Sequence, residues 1–164
     1  VWTTQFGSNI VFQMYGVAVD ALGNVLVVGM ANGSLGLSVG GSDAFVRKYS
    51  ASGMELWTRQ FGTADIDRAL AVTSDASGNV FVAGRTDGTL TGQANGGGDA
   101  FVRKYNSTGT EVWTRQIGSS SADNAYAIAA DADGVALVAG DVGGVLPAQP
   151  NTGAGDAVLI RLAP

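Results

Sequence analysis

Short apolar runs alternate with clusters of Gly, Asp, Asn and Ser along the whole chain. This pattern predicts strands joined by tight turns. Ala69 to Ser74 (ALAVTS) is an apolar strand, and Asp75-Ala76-Ser77-Gly78-Asn79 supplies a turn. Asp and Asn tolerate left-handed backbone there, and Gly adopts it without steric cost. Val80 to Arg85 (VFVAGR) returns as the second strand of a hairpin, and a Gly-rich loop from Asp87 to Gly98 leads to a third, Asp99 to Tyr105 (DAFVRKY). The turn Asn106-Ser107-Thr108-Gly109 reverses the chain into a fourth strand, Glu111 to Ile117. No segment sustains a 3.6-residue apolar period, so essentially no helix is expected. The strands around Val25 and Val80 are apolar at successive positions, as expected for sheets covered on both faces.

The same succession occurs three times. Trp2, Trp57 and Trp113 stand 55 and 56 residues apart and open WTTQFG, WTRQFG and WTRQIG. Asp20, Asp75 and Asp131 each close an alternating run and open a turn. Gly29, Gly84 and Gly140 follow in the second strand, and Asp43-Ala44, Asp99-Ala100 and Asp156-Ala157 begin the third. The units are read as 2–56, 57–112 and 113–164 of a single domain. Four antiparallel strands per unit at this period match a blade of an all-β propeller. A sandwich would not repeat every hairpin in register, and a solenoid coil takes about 20 to 30 residues.

WTRQFG, an alternating strand ending in Asp, SGNVFVAG and GGDAFVRKY together resemble the SBBP-type β-propeller repeats of bacterial exported proteins. The resemblance is fullest from Trp57 to Tyr105. It implies a seven-bladed or similar propeller, usually with more repeats in one chain and often outside the cell, and it implies little about activity. The first unit departs from it. Asn9-Ile10-Val11-Phe12-Gln13-Met14 stand where the later units carry Asp65 and Asp67, or Asp123.

The chain begins with a fourth-type strand, Val1 to Phe6, and ends with a third-type strand, Asp156 to Leu162. The expectation is three four-stranded blades per chain, with the N-terminal strand completing the C-terminal blade in cis or in trans. Three blades hardly close a ring, since propellers use about four to eight. Two copies exchanging that strand would make a six-bladed ring, a homo-oligomer with two-fold symmetry. Further blades of a longer chain are the competing partner. Because the sequence starts at Val1 and not Met, a leader or flanking sequence is expected to be missing.

Composition narrows the chemistry. The absence of His and Cys removes imidazole and thiolate ligands, disulfides and the Ser-His and Cys-His nucleophile pairs. A net charge of -5 argues against nucleic acid, and Arg47-Lys48 and Arg103-Lys104, one pair per unit, read as structural positions. No apolar run approaches the roughly 20 residues of a membrane span. No cofactor is implied. The function expected is a non-catalytic structural or protein-interaction module at a bacterial surface or in an extracellular assembly. A lectin-like glycan binder is the alternative, and a hydrolase or lyase with Asp residues at the ring mouth is the third reading.

Each candidate position also has a structural reading. Asp20, Asp75 and Asp131 could ligate calcium, with Asp131 and Asp133 the best pair, but so few carboxylates fall short of calcium's six to eight oxygens. The reading favoured for them is an Asx-type turn in which Asp accepts backbone N–H bonds. Asp43, Asp99 and Asp156 follow Gly-rich approaches and read as loop caps or partners of a repeated Arg. Trp2, Trp57 and Trp113 are sugar-stacking platforms or packing between blades, with Arg59 and Arg115 stacking on aromatics. Asp65, Asp67 and Arg68, matched by Asp123 and Asn124, are an acid-base group at the mouth or solvated loop charge. Ile10, Val11, Phe12 and Met14 are a partner-binding patch or a closing seam.

Overall fold

A computed structural model describes all residues except 8–10, 36–39, 93–95, 147–148, 150–154 and 164. The described residues hold eleven strands and no helix. β1 (Val11–Val19), β2 (Val25–Asn32), β3 (Asp43–Tyr49) and β4 (Glu55–Phe61) form the first sheet, neighbours in chain order. β5 (Asp67–Ser74), β6 (Val80–Thr86), β7 (Asp99–Tyr105) and β8 (Glu111–Ile117) form the second in the same order. β9 (Asp123–Ala130), β10 (Ala136–Val142) and β11 (Asp156–Leu162) form a three-stranded third sheet. Repeated antiparallel meanders of this kind are propeller-like. The sheets run from the first strand of one unit to its Trp-bearing strand, so Trp57 closes the first sheet instead of opening the second.

The sheets stack face to face. Leu26, Val28, Ala44 and Val46 of the first meet Ala69, Val80, Val82 and Phe101 of the second, with Trp57 and Phe61 closing the outer side. On its other face the second sheet packs Phe81, Ala83, Ala100 and Val102 against Ala125, Ala136, Val138 and Leu162 of the third. Both faces of the second sheet are therefore core, which explains why its strands are apolar at successive positions. Burying each such Val, Leu or Phe side chain contributes about 1.5–3 kcal/mol. β5 lies against both β1 and β9, placing the first strand of each sheet on the inner side of the stack. Backbone bonds staple the sheets at one end. Asp67 N–H donates to the Ser42 carbonyl (2.7 Å) and Asp123 N–H to that of Gly98 (2.9 Å).

Gly29, Gly84 and Gly140 exist for close approach. A Cβ there would lie 2.0, 1.9 and 1.8 Å from the carbonyl oxygens of Gln13, Arg68 and Asn124 on the adjoining inner strand.

Val1 to Phe6, expected as a strand, is not one: residues 1–7 carry no strand pairing. Its side chains nonetheless reproduce β4. Trp2 and Tyr49 have ring centroids 6.2 Å apart, as Trp57 and Tyr105 have at 6.1 Å. Phe6 meets Tyr49 at 6.3 Å, as Phe61 meets Tyr105. Arg47 lies 4.2 Å over Phe6, and Arg103 lies 4.1 Å over Phe61. The segment packs on the sheet face its sequence fits, without a strand partner among the described residues.

Candidate functional site: the bulged inner strands

The pairing of each inner strand with its neighbour slips at one place, and it is the same place. Tyr15 is skipped between Met14–Gly29 and Gly16–Val28, Leu70 between Ala69–Gly84 and Ala71–Ala83, and Tyr126 between Ala125–Gly140 and Ala127–Ala139. A bulge leaves one residue unpaired and re-aims its side chain, and bulges concentrate beside functional sites. Tyr15 and Tyr126 are 41% and 55% exposed, a large aromatic area for inner-strand positions.

Polar side chains that differ among the units flank the bulges. In the first sheet Tyr15 donates its hydroxyl to Gln13. In the second, Arg68 and Arg85 stand opposite each other and both reach Asp87, at 3.7 and 2.8 Å. In the third, Asn124 donates to Asp141 at 2.8 Å and Tyr126 at 3.4 Å. Burial raises the Tyr126 phenol above its ordinary range, and the Asp141 carboxylate adds to the rise. These groups can offer hydrogen bonds, charge and ring faces to a partner. They include no nucleophile activated by a base. Sequence reading named Arg68 and Asn124 but missed Tyr15 and Tyr126, although unlike residues at one place in otherwise matching repeats were a signal for them.

The repeated carboxylates lie elsewhere and serve the framework. Asp20 Oδ1 accepts the Leu22 and Asn24 N–H groups, Asp75 Oδ1 those of Ser77 and Asn79, and Asp131 Oδ1 those of Asp133 and Val135. These are Asx-type turns. Asp133 is exposed beside Asp131, and no group of three or more metal-binding side chains occurs among the described residues. Asp20 also pairs with buried Lys48 at 2.8 Å. Burial pushes its carboxyl up, but the bonds from Lys48, Asn24 and Leu22 outweigh that and hold it at about 2.

The second set of carboxylates fills the seams. Asp43, Asp67, Asp99 and Asp123 are essentially fully buried. Gln60 donates to Asp43 (2.8 Å) and Gln116 to Asp99 (2.7 Å), so a glutamine of the adjoining strand takes the place imagined for an arginine. Asp67 accepts the backbone and hydroxyl of Thr63, and Asp123 those of Ser119. A Cβ on Gly62 would lie 2.5 Å from Asp43 and 2.6 Å from Asp67, so the two carboxyls share one small space. Burial raises the Asp67 carboxyl, the bonds from Thr86 and Thr63 oppose this, and the Asp43 charge raises it further. Asp65 is exposed while Asp67 is buried against Asp43, so these neighbours in sequence do not form one acid-base group.

The tryptophans sit between sheets to different degrees. Trp57 is 9% exposed and donates its indole N–H to the Ser107 carbonyl at 3.2 Å; Trp2 is 42% exposed and donates to that of Ala51 at 3.0 Å. Trp113 is half-buried and packs edge-on to Phe81 at 6.2 Å. Arg59 and Arg115 lie over the Trp57 and Trp113 rings, at 5.7 and 4.9 Å. Phe12 occupies the place of Asp67 and Asp123 and packs against Phe6 and Phe45, at 5.4 and 5.8 Å. Met14 is 48% exposed beside its bulge, Val11 is exposed, and Asn9 and Ile10 lie outside the described residues.

The beta-propeller repeat SBBP matches residues 1–36 and 56–91, so the chain carries this repeat, and the resemblance read from its motifs holds. The regulatory protein FlaEY of Caulobacter vibrioides (strain ATCC 19089 / CIP 103742 / CB 15) is 34% identical over 136 residues, covering 76% of this chain. The chain spans 14% of that protein's length.

Proposed function

We propose that the chain is a non-catalytic, protein-interacting part of a β-propeller, and that its partner is read by the bulged inner strands. One observation carries this reading. The residues common to the three units are spent on turns, seams and core, whereas Gln13, Tyr15, Arg68, Arg85, Asp87, Asn124, Tyr126 and Asp141 differ between units and remain partly accessible. Exposed Tyr and Arg with adaptable amides are the side chains that anchor protein partners. A relative described as a regulatory protein supports interaction over catalysis. Placement outside the cell belongs to the same proposal and draws on the repeat's resemblance to exported proteins.

Photocrosslinking tests it. A benzophenone side chain at Tyr15 or Tyr126 should capture the same discrete partner from the source cell, and Arg68→Ala should weaken both adducts. Leu22, 81% exposed in a turn, is the control position. Adducts equal at all three positions would overturn the reading. Fractionation of the source cells tests the location, and a cytoplasmic pool alone would refute it.

A further inference from the structure

Two buried acids meet on the joint between the first and second sheets. Asp43 opens β3, Asp67 opens β5, and both are 0% exposed. Their carboxyls converge on one point, since a Cβ on Gly62 would lie 2.5 Å from Asp43 Oδ1 and 2.6 Å from Asp67 Oδ2. The backbone beside them is what joins the sheets. Ser42 and Ile66 form a parallel bridge, the Asp67 N–H donates to the Ser42 carbonyl at 2.7 Å, and the Gly41 N–H donates to that of Ala64 at 3.3 Å.

The side chains that bond the pair are neutral. Gln60 of β4 donates to Asp43 at 2.8 Å, the Thr63 N–H and hydroxyl reach Asp67 at 2.7 and 3.1 Å, and Thr86 of β6 bonds Asp67. Asp65 is exposed, and Arg68, next on β5, pairs with Asp87 at 3.7 Å. Asp43 supplies the charge that acts on Asp67. Like charges so close in a dry seam are costly, and keeping a proton relieves the cost. A divalent ion such as calcium takes about six or more oxygens, so a proton fits this small space better. Asp99 and Asp123 approach each other in the same way at Gly118. There Asp123 meets the Gly143 N–H, which only donates, whereas Asp67 meets the Thr86 hydroxyl, which can also accept.

We propose that Asp43 and Asp67 hold a single proton between them, and that this proton closes a pH-sensitive joint between the first and second sheets. While it is held, one carboxyl is neutral and donates to the other. As pH rises the proton passes to solvent and two carboxylates face each other. Their repulsion then bears on the bond from Asp67 to Ser42. The stability that the shared proton supplies is present at low pH and is lost as pH climbs through the raised value. Asp67 immediately precedes Arg68, so opening the joint also loosens the root of a bulged strand, whatever that strand binds.

Carbon-13 resonances of the aspartate carboxyls read the proton in the native chain, with no variant needed. That of Asp67 should titrate above the 3.8 of a free side chain. Asp43→Asn keeps the seam buried and removes the like charge, so it should lower the proton affinity of Asp67 about tenfold. Hydrogen exchange reads the joint. Protection of the Asp67 amide, corrected for its chemical exchange rate, should fall about tenfold as the proton leaves, and Asp43→Asn should abolish that fall. An Asp67 carboxyl that titrates at or below the free value, a titration that Asp43→Asn leaves in place, or amide protection independent of pH would each overturn the proposal.

Discussion

The second and third sheets are built from nearly the same alternation of residues, yet they meet different surroundings. Phe81, Ala83 and Val102 are at most 1% exposed, while Leu137 and Leu159 at matching positions are 41% and 74% exposed. The strands themselves do not account for the difference. Each second-sheet face has a neighbour, and one third-sheet face has none among the described residues. In a stacked architecture burial belongs to the pair of sheets, and stability therefore grows with each interface.

The sharpest way to break this comparison is to truncate one residue in the third strand of each sheet. Phe101 is fully buried and edge-packed on Phe61 at 5.5 Å. Phe101→Ala should cost about 3–5 kcal/mol in urea unfolding. Leu159→Ala, at a position 74% exposed, should cost under about 0.5 kcal/mol. Equal losses would mean the two sheets are not distinguished by their neighbours.

A second contrast sets the first sheet against the second. Lys48 and Lys104 are equivalent, but Lys48 stands opposite Leu26 and pairs with Asp20, whereas Lys104 stands opposite Phe81 and lies 4.9 Å over its ring. Lys48→Met strands a buried carboxylate and should cost about 3 kcal/mol. Lys104→Met removes a cation from a ring and should cost about 1 kcal/mol. Thermal or urea unfolding of the two variants side by side measures the gap.

Much of this was legible in the sequence because the repeat reports each element three times. The hairpins fell where Asp-x-x-Gly punctuates apolar runs, and the Asx turns at Asp20, Asp75 and Asp131 formed as that pattern requires. Three features were not legible. The register slip at Tyr15, Leu70 and Tyr126 depends on the paired strand, which a linear pattern does not contain. The meeting of Asp43 with Asp67 joins two sheets across a glycine. Residues 1–7 carry no strand pairing although their sequence matches β4, and pairing is a property of two segments that one segment's pattern does not contain.

Those seam carboxylates sharpen the comparison between interfaces. Gly118 stands where a Cβ would lie 2.0 Å from Asp99 and 2.9 Å from Asp123. Gly118→Ala should therefore cost about 2 kcal/mol by overpacking. Gly7, the equivalent position, backs onto the Phe12 ring at 3.1 Å, so the ring can yield. Because Gly7 also has φ near +138°, the test uses Phe12→Ala with Gly7→Ala, which should recover part of the loss seen with Gly7→Ala alone.

A last contrast is in pH, where the two buried carboxyl types have opposite signs. Asp20 titrates at about 2 in the fold against 3.8 for the free side chain, so its contribution is present above pH 4 and is lost as pH falls toward 2. That loss is about 2 kcal/mol. Lys48→Met should flatten this acid limb, because the lysine bond is the first of those holding the carboxyl down. The Asp67 carboxyl is raised in the fold, so its contribution is present below pH 3.8 and is lost as pH climbs through the raised value. Asp67→Asn should consequently gain on the native chain as pH rises from 3 to 7. Urea midpoints at pH 2, 3, 5 and 7 for the native chain and the two variants separate these limbs. An Asp67→Asn difference that is flat across the range would show that the Asp43 neighbour and the buried seam do not govern its titration.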